Sequence, residues 1–494
     1  MSEEPSLEKK TFFATLWTVS SRMSIRLIGL VSLVIMAKIL GPEDYGIVGK
    51  AMVVYAFLDM ITALGLEAAL ITNQKATQDH YDTVWTIHIL RGAFIAFMLL
   101  ILAYPASIYM NEEAILPIFY CYAAISFVDG FYNIGVVNFR KDMTFSKDFY
   151  YSLSAKIAGF IVSVTTAYVW ETYWALVFGI VASTLAKIIA SFWMSPMRPR
   201  PSLVKFKSLF NFSKWMLLNE VVGAVSSKVD GFLLSIFSST ANMGIYTMSH
   251  EISGLPSTEI AMPVGRATTP SFSKLKDNLQ EFSKMYIATL SIVLAIVIPA
   301  ATGVSLLAEP MVLLILDDSW VDAIPVIQVL SIYGLCRASY PTFISAILAI
   351  NRPDILTKLS FVRVIYTVAI SYFAIVNYGF MGLVWAVRVT GIIGVIIVQI
   401  IMRNLKILSL RSLTKNIWRS VVANFAMVAG LSYYLGFDLA FLDGLLLFKL
   451  VIDILVGASI YAITLVSLWV LSGRCEGPEK AILGTLLKGR FGTA

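Results

Sequence analysis

The chain has 494 residues, of which 58% are apolar and 14% charged, with a formal net charge of +7. Ordinary soluble domains carry about 25% charged residues, so this composition excludes a conventional soluble enzyme or nucleic-acid-binding domain and indicates a protein that crosses a membrane many times. Cys121, Cys336 and Cys475 are too scattered for a disulfide framework or a metal site.

The leader mixes Glu3, Glu4 and Glu8 with Lys9 and Lys10. It lacks the purely basic start of a cleavable signal, and the apolar run behind it is too long for one, so the first segment is predicted to be retained. That segment covers about 12–40 and is followed by a hairpin, Gly41-Pro42-Glu43-Asp44-Tyr45-Gly46, and a second apolar segment to about Thr72. A hydrocarbon core needs about 20 helical residues, so these are two spans. Further spans are predicted near 82–108, 114–138, 148–170, 173–194, 208–236, 241–266, 284–307, 321–350, 355–377, 380–403, 414–435 and 445–471, fourteen in all. Backbone groups in lipid must be bonded within the segment, so the expected fold is all-α; barrel strands would be near ten residues and alternating. Pro256, Pro263, Pro299, Pro325 and Pro341 predict kinks.

Loop charges set the orientation. Loops after even-numbered segments carry Lys75, Arg140, Lys141, Lys147, Arg198, Arg200, Lys205, Lys207, Lys274, Lys276, Arg352, Arg403, Lys406 and Arg411. Loops after odd-numbered segments carry Glu43, Asp44, Glu112, Glu113, Glu171, Glu309, Asp317, Asp318, Asp438 and Asp443 and no Lys or Arg. By the positive-inside rule the basic loops and both termini are predicted to be cytoplasmic.

An internal repeat is visible: Tyr45-Gly46-Ile47-Val48 and Met243-Gly244-Ile245-Tyr246 each precede a long apolar stretch, and Arg140-Lys141-Asp142-Met143 corresponds to Arg352-Pro353-Asp354-Ile355. The expected organisation is a cytoplasmic tail (1–11), a six-helix lobe (12–195), a cytoplasmic linker (196–207), a second six-helix lobe (208–404), two extra helices (405–472) and a cytoplasmic tail (473–494). Parallel repeats of this kind occur in transporters that alternate access around a site between the halves.

Ile39-Leu40-Gly41-Pro42-Glu43-Asp44-Tyr45-Gly46, then Leu64-Gly65-Leu66 and Ala68-Ala69-Leu70, resembles the opening of the polysaccharide-transport flippases. These form the branch of the multidrug/oligosaccharidyl-lipid/polysaccharide (MOP) superfamily that includes Wzx proteins and colanic acid exporters. Asp230 with Leu233-Leu234 and Gly244-Ile245-Tyr246 resembles the matching element of the second half. The resemblance covers nearly the whole chain and implies a V-shaped pair of six-helix lobes around a cationic cavity. It also implies a cargo of the undecaprenyl-diphosphate oligosaccharide type, carried from the cytoplasmic to the outer leaflet of a bacterial or archaeal cytoplasmic membrane. Expected partners are that lipid-linked oligosaccharide, the bilayer, and a polysaccharide polymerase with its export machinery; no nucleic acid, cofactor or metal is expected.

The buried charges fit such a cargo. Arg22 and Arg26 lie one turn apart on one face of the first segment, and Arg91, Arg337 and Arg363 sit at comparable depths. Arginine suits a diphosphate because its planar fork bonds two oxygens and keeps its charge when partly dehydrated. Pairing with Asp59, Asp129, Glu220 or Glu259 as structural bridges is the alternative. Asn219, Gly223, Ser226 and Asp230 share a helical face, which reads either as substrate or cation contact or as helix packing. Glu259 and Arg266, seven apart, read as an ion pair or a gate, while Lys156 and Lys187 are close enough to the boundary to snorkel and His88 and His250 read as packing residues. Two other functions stay open: a multidrug or cation antiporter of the same superfamily, and a membrane glycosyltransferase or polymerase using Glu43 and Asp44. The first calls for an acidic cavity, and the second for a larger outside loop.

Overall fold

A computed structural model of the chain describes residues 7–73, 75–142, 144–435, 446–474 and 477–480, with the backbone alone for 7–16, 18–19, 21, 72, 210–216, 218–220 and 446–447. Among the described residues there is helix and no strand. The chain divides into two compact units, Met1–Gly244 and Ile245–Ala494.

The first unit opens with α1 (Leu7–Ile39), α2 (Pro42–Ile61) and α3 (Leu66–Thr72). Pro42 occupies the first turn of α2, and the Asp44 carboxylate accepts the Gly41 amide at 3.3 Å. The expected six-residue hairpin therefore shrinks to Leu40-Gly41, and its acids become the first turn of a helix, where they oppose the positive end of the dipole. The other Asp44 oxygen accepts the Tyr173 amide at 2.8 Å, so one carboxylate caps α2 and holds a second turn 129 residues away. Further along α2, Lys50 is 2% exposed, and its ammonium donates to the Met110 carbonyl at 2.8 Å. This lysine thus satisfies an orphan carbonyl at the end of the next long helix, α4 (Gln78–Tyr109).

After α4 come α5 (Ile115–Asp129), a 3₁₀ turn (Ile134–Val137) running into α6 (Asn138–Lys141), α7 (Phe145–Trp170), α8 (Trp174–Met194) and α9 (Phe206–Phe237). Leu99, Ile118, Phe119 and Tyr122 form the centre of the core between α4 and α5, with Ala51, Val54 and Leu58 of α2 packed in. α7 lies against α8 along Gly159, Ser163, Gly179 and Ser183. Small residues at this seam let two backbones approach closely, which is how helices associate where lipid supplies no hydrophobic drive.

α10 (Thr240–Pro256) leads into a π-helical turn (Ser257–Ala261) and α11 (Met262–Leu275). Pro256 and Pro263 bracket that turn, so the kink expected from the prolines takes the form of one wide turn. α12 (Leu279–Leu306), α13 (Ala308–Met311), α14 (Ala323–Arg337) and α15 (Ser339–Ala349) follow. α16 (Pro353–Asn404) is two helices joined end to end at Gly379, whose φ of 63° and ψ of −152° lie outside the range of L side chains. α17 (Leu410–Leu435) and α18 (Leu446–Leu471) complete the described helices. The core of this unit gathers Phe272, Phe282, Tyr286, Leu290 and Phe343.

Helix occupies most of each stretch expected from sequence, with breaks inside 46–72, 114–138 and 321–350. Among the described residues, by length and apolarity alone, seven helices qualify as membrane spans, or eight if Ile115–Asp129 and Ile134–Lys141, bent by 71°, count as one. Outward faces are apolar as well: Phe97, Val169, Trp193 and Ile365 are all exposed. Apolar helix faces of this kind are stable against lipid, not against water.

Candidate functional site

The two units present different arginine chemistry. In Met1–Gly244 the centre is the break between α2 and α3. Gly65 takes a left-handed conformation, with φ 62° and ψ 27°, and restarts the chain as α3. Arg91 of α4 fills the gap left at the end of α2. Its guanidinium donates to the Asp59 carbonyl at 2.7 Å, to the Asp59 carboxylate at 2.5 Å and to the Thr62 hydroxyl at 3.1 Å. A cation at a helix C-terminus satisfies an orphan carbonyl and complements the dipole.

Beside this cap lies a cavity of about 380 Å³ lined by Leu64, Gly65, Glu67, His88, Arg91 and Arg140. Its charges are already matched. Glu67 accepts the Tyr132 hydroxyl at 2.7 Å and faces Arg140 at 3.7 Å, and Arg140 also binds Asp148 at 3.1 Å. His88 packs edge-on against Tyr132. The structure thus places Arg91 in the ion pair with Asp59 that the sequence offers as its alternative.

In Ile245–Ala494 the arginines lie on aromatic rings. Arg337 ends α14 with its guanidinium 5.8 Å from the Tyr333 ring centre, and Arg363 of α16 is 5.2 Å from Tyr340. Arg388, from the second half of α16, is 4.8 Å from the Trp385 ring. Gly391 packs against the Tyr333 ring and Gly394 against the hydroxyls of Tyr340 and Tyr366, which draws the second half of α16 into one cluster with α14, α15 and its own first half. All three arginines are half-buried, and among the described residues neither Arg337 nor Arg388 has a carboxylate within 4.0 Å. A ring face steadies a guanidinium without neutralising it, so its donors stay available to an anion.

The other sequence candidates are dispersed. Arg22 is exposed and Arg26 half-buried on α1, and Asp230 is half-buried on α9. The side chain of Asn219 lies outside the described residues. Glu259 sits in the π turn and accepts the Thr258 hydroxyl at 3.2 Å; it and Arg266 are both exposed, and no ion pair joins them among the described residues. Arg388 was missed by the sequence reading, although the rule that singles out Arg363, an ionisable group within an apolar span, applies to it equally.

The fold defines a many-helix membrane protein, with half-buried arginines in both units. The family described as "Polysaccharide biosynthesis protein" matches residues 35–325, and the chain belongs to that family. Among curated relatives it is similar to the Lipopolysaccharide biosynthesis protein WzxC of Escherichia coli (strain K12), 21% identical over 72% of this chain and 73% of the relative. It is also similar to the Succinoglycan biosynthesis transport protein ExoT of Rhizobium meliloti (strain 1021), 23% identical over 77% of this chain and 78% of the relative. Among solved structures, the Lipid II flippase MurJ in an inward closed conformation superposes with a TM-score of 0.73 at 16% identity, covering 92% of this chain and 99% of that one. An inward-facing multidrug resistance MATE family transporter of the MOP superfamily gives a TM-score of 0.62 at 15% identity over 77% and 95%. At those identities the structural likeness speaks for the fold.

Proposed function

We propose that the chain is a flippase for a lipid-linked oligosaccharide of the undecaprenyl-diphosphate type, supplying surface polysaccharide synthesis by alternating access of a cationic cavity. The observation that carries this reading is the pair Arg337 and Arg388, half-buried, seated on rings and without a carboxylate partner among the described residues. Cations that have left bulk water without a counter-ion are poised for a ligand that brings negative charge, and a diphosphate fits the guanidinium fork. Aromatic faces beside them suit sugar rings. Arg22, Arg26, Arg363, Asp230 and Asn219 are proposed as further cavity residues and Glu259 with Arg266 as a gate, whereas Arg91 is assigned to holding the α2–α3 break. The family match and the names of the relatives WzxC, ExoT and the Lipid II flippase support a role in transport over one in catalysis.

The loop charges support fourteen spans with both termini in the cytoplasm of a bacterial or archaeal cell. Single cysteines at Glu112 and Glu171 should then react with an impermeant thiol reagent in intact cells, and cysteines at Lys141 and Lys205 should not.

Deleting the gene tests the function. Undecaprenyl-linked oligosaccharide should accumulate facing the cytoplasm, with loss of one surface polysaccharide. Wild-type levels of both would refute the reading.

A further inference from the structure

α18 carries a buried acid, Asp453, apart from the arginine clusters. Asp453 is 1% exposed, and neither of its carboxyl oxygens has a hydrogen-bond partner among the described residues. It lines a cavity of about 380 Å³ whose other walls come from α12 (Pro299, Ala300, Gly303), α13 (Met311), α17 (Met427, Leu431) and the following turns of α18 (Gly457, Tyr461). The titratable groups near it are few. Lys449 stands one turn earlier on α18, and the phenol of Tyr461 stands two turns later; α12, α13 and α17 offer the cavity only uncharged residues. Tyr461 is itself committed, donating at 2.6 Å to the Ala295 carbonyl that Pro299 cannot bond.

An ionised carboxylate in such a place would face mostly apolar side chains, with Lys449 as its nearby cation and no protein hydrogen-bond donor among the described residues. Removing a charge from water without pairing it costs far more than taking up a proton. The same arithmetic reverses once the cavity admits water or a cation, because the carboxylate is then solvated and the proton leaves. The cavity does not suit a metal ion, since among the described residues Asp453 is the one carboxylate lining it and, Tyr461 apart, the other lining side chains are apolar. We propose that Asp453 is a proton-binding site, protonated in the conformation described here and deprotonated in another, so that each transport cycle takes up and releases one proton at this carboxyl. The step is a simple transfer: a water-borne proton bonds to one carboxyl oxygen, neutralising the side chain, and returns to water when the site is hydrated. Asp453 is seven residues from the start of α18, about 10 Å along the axis. With the orientation proposed above, that end is the outer one, so the proton would enter from outside while the anionic cargo leaves. This inference rests on the transport reading for its coupling, though not for the protonation itself.

Infrared difference spectroscopy on the purified full chain tests protonation directly. Wild type at neutral pH should show the carbonyl band of a protonated acid without hydrogen bonds, and Asp453→Asn should lack it; absence of the band from wild type overturns the proposal whatever the cargo is. Coupling is then read in the deletion strain. Asp453→Asn, which mimics the protonated acid permanently, should reach the membrane at normal abundance and lose export, while Asp453→Glu should keep export with a displaced dependence on external pH. Full export by Asp453→Asn would reduce the acid to a structural residue and overturn the coupling. If the asparagine variant failed to accumulate, an unchanged pH dependence in Asp453→Glu would do the same. Should deletion of the gene leave lipid-linked saccharide unaffected, the flippase reading falls while the infrared result stands.

Discussion

Gly244 is nested against Gly46. A methyl group built on Gly244 would strike the Pro42 carbonyl and come within 2.9 Å of the Gly46 amide, and one built on Gly46 would strike the carbonyl of Thr240. These are the two glycines that mark the internal repeat in the sequence, and they turn out to be in contact. The obstructing atoms are backbone and cannot swing aside. Gly46→Ala and Gly244→Ala should each destabilise the protein by about 1–3 kcal/mol, read as a lowered melting temperature in detergent; wild-type melting would show that the backbones can part.

The contrast between Arg91 and Arg388 yields a second prediction. Arg91 is bound to Asp59, so Arg91→Ala should lower the amount of folded protein, and adding Asp59→Ala should restore part of it by removing the stranded acid. Arg337→Ala and Arg388→Ala should instead keep abundance and lose export, with lysine at either position rescuing only in part because it binds phosphate as a point charge. Quantitative membrane blots beside surface-polysaccharide assays decide between the two patterns.

Arg419 and Glu479 form a bidentate pair at 2.8 and 2.9 Å, with side chains 2% and 1% exposed. The pair fastens the segment after α18 to α17. Removing either partner alone should cost about 3–5 kcal/mol, whereas replacing both with apolar residues, Arg419→Met with Glu479→Leu, should cost much less. Thermal melts of the two single variants and the double variant make the test, and equal losses in all three would argue against a coupled pair.

Gly379 permits the turn inside α16, and its dihedrals are open to glycine almost alone. Gly379→Ala should cost about 1–3 kcal/mol even though no atom lies within 4 Å of the added methyl, because the strain is torsional and not steric crowding. Hydrogen exchange should localise the loss to residues flanking 379; protection unchanged there would contradict the assignment.

The helices were legible because each apolar run is longer than its loops and ends at Gly, Pro or charge, as at Gly41-Pro42 and Arg352-Pro353. The break at 62–65 was not, since Thr62, Ala63 and Leu64 read as a continuous span. What stops α2 there is Arg91, 29 residues downstream of Thr62, taking the carbonyl and carboxylate of Asp59. Residue spacing within one helix cannot report a donor supplied by another. The π turn at 257–261 was half legible: two prolines foretold a disturbance but not its form. Among the candidate site residues, Arg337 and Arg363 follow from depth in an apolar segment, yet the same criterion reaches Arg388 and Asp453, which the reading passed over. The difference between a paired arginine and an available one lies in three-dimensional neighbours, which residue spacing does not carry.

Lys50 has a bearing on how the chain is built into its membrane. Its ammonium is held by the carbonyl of Met110, 60 residues later in synthesis. While the ribosome is still making α4, α2 already stands in or beside the translocon with a cation that has no acceptor. At that stage α2 lacks the acceptor that it has in the finished fold. Until the end of α4 supplies it, Lys50 is best served by snorkelling to the membrane surface. The first helices would then be released as a group and not one by one, and shortening the nascent chain before Met110 should leave α2 extractable by alkali.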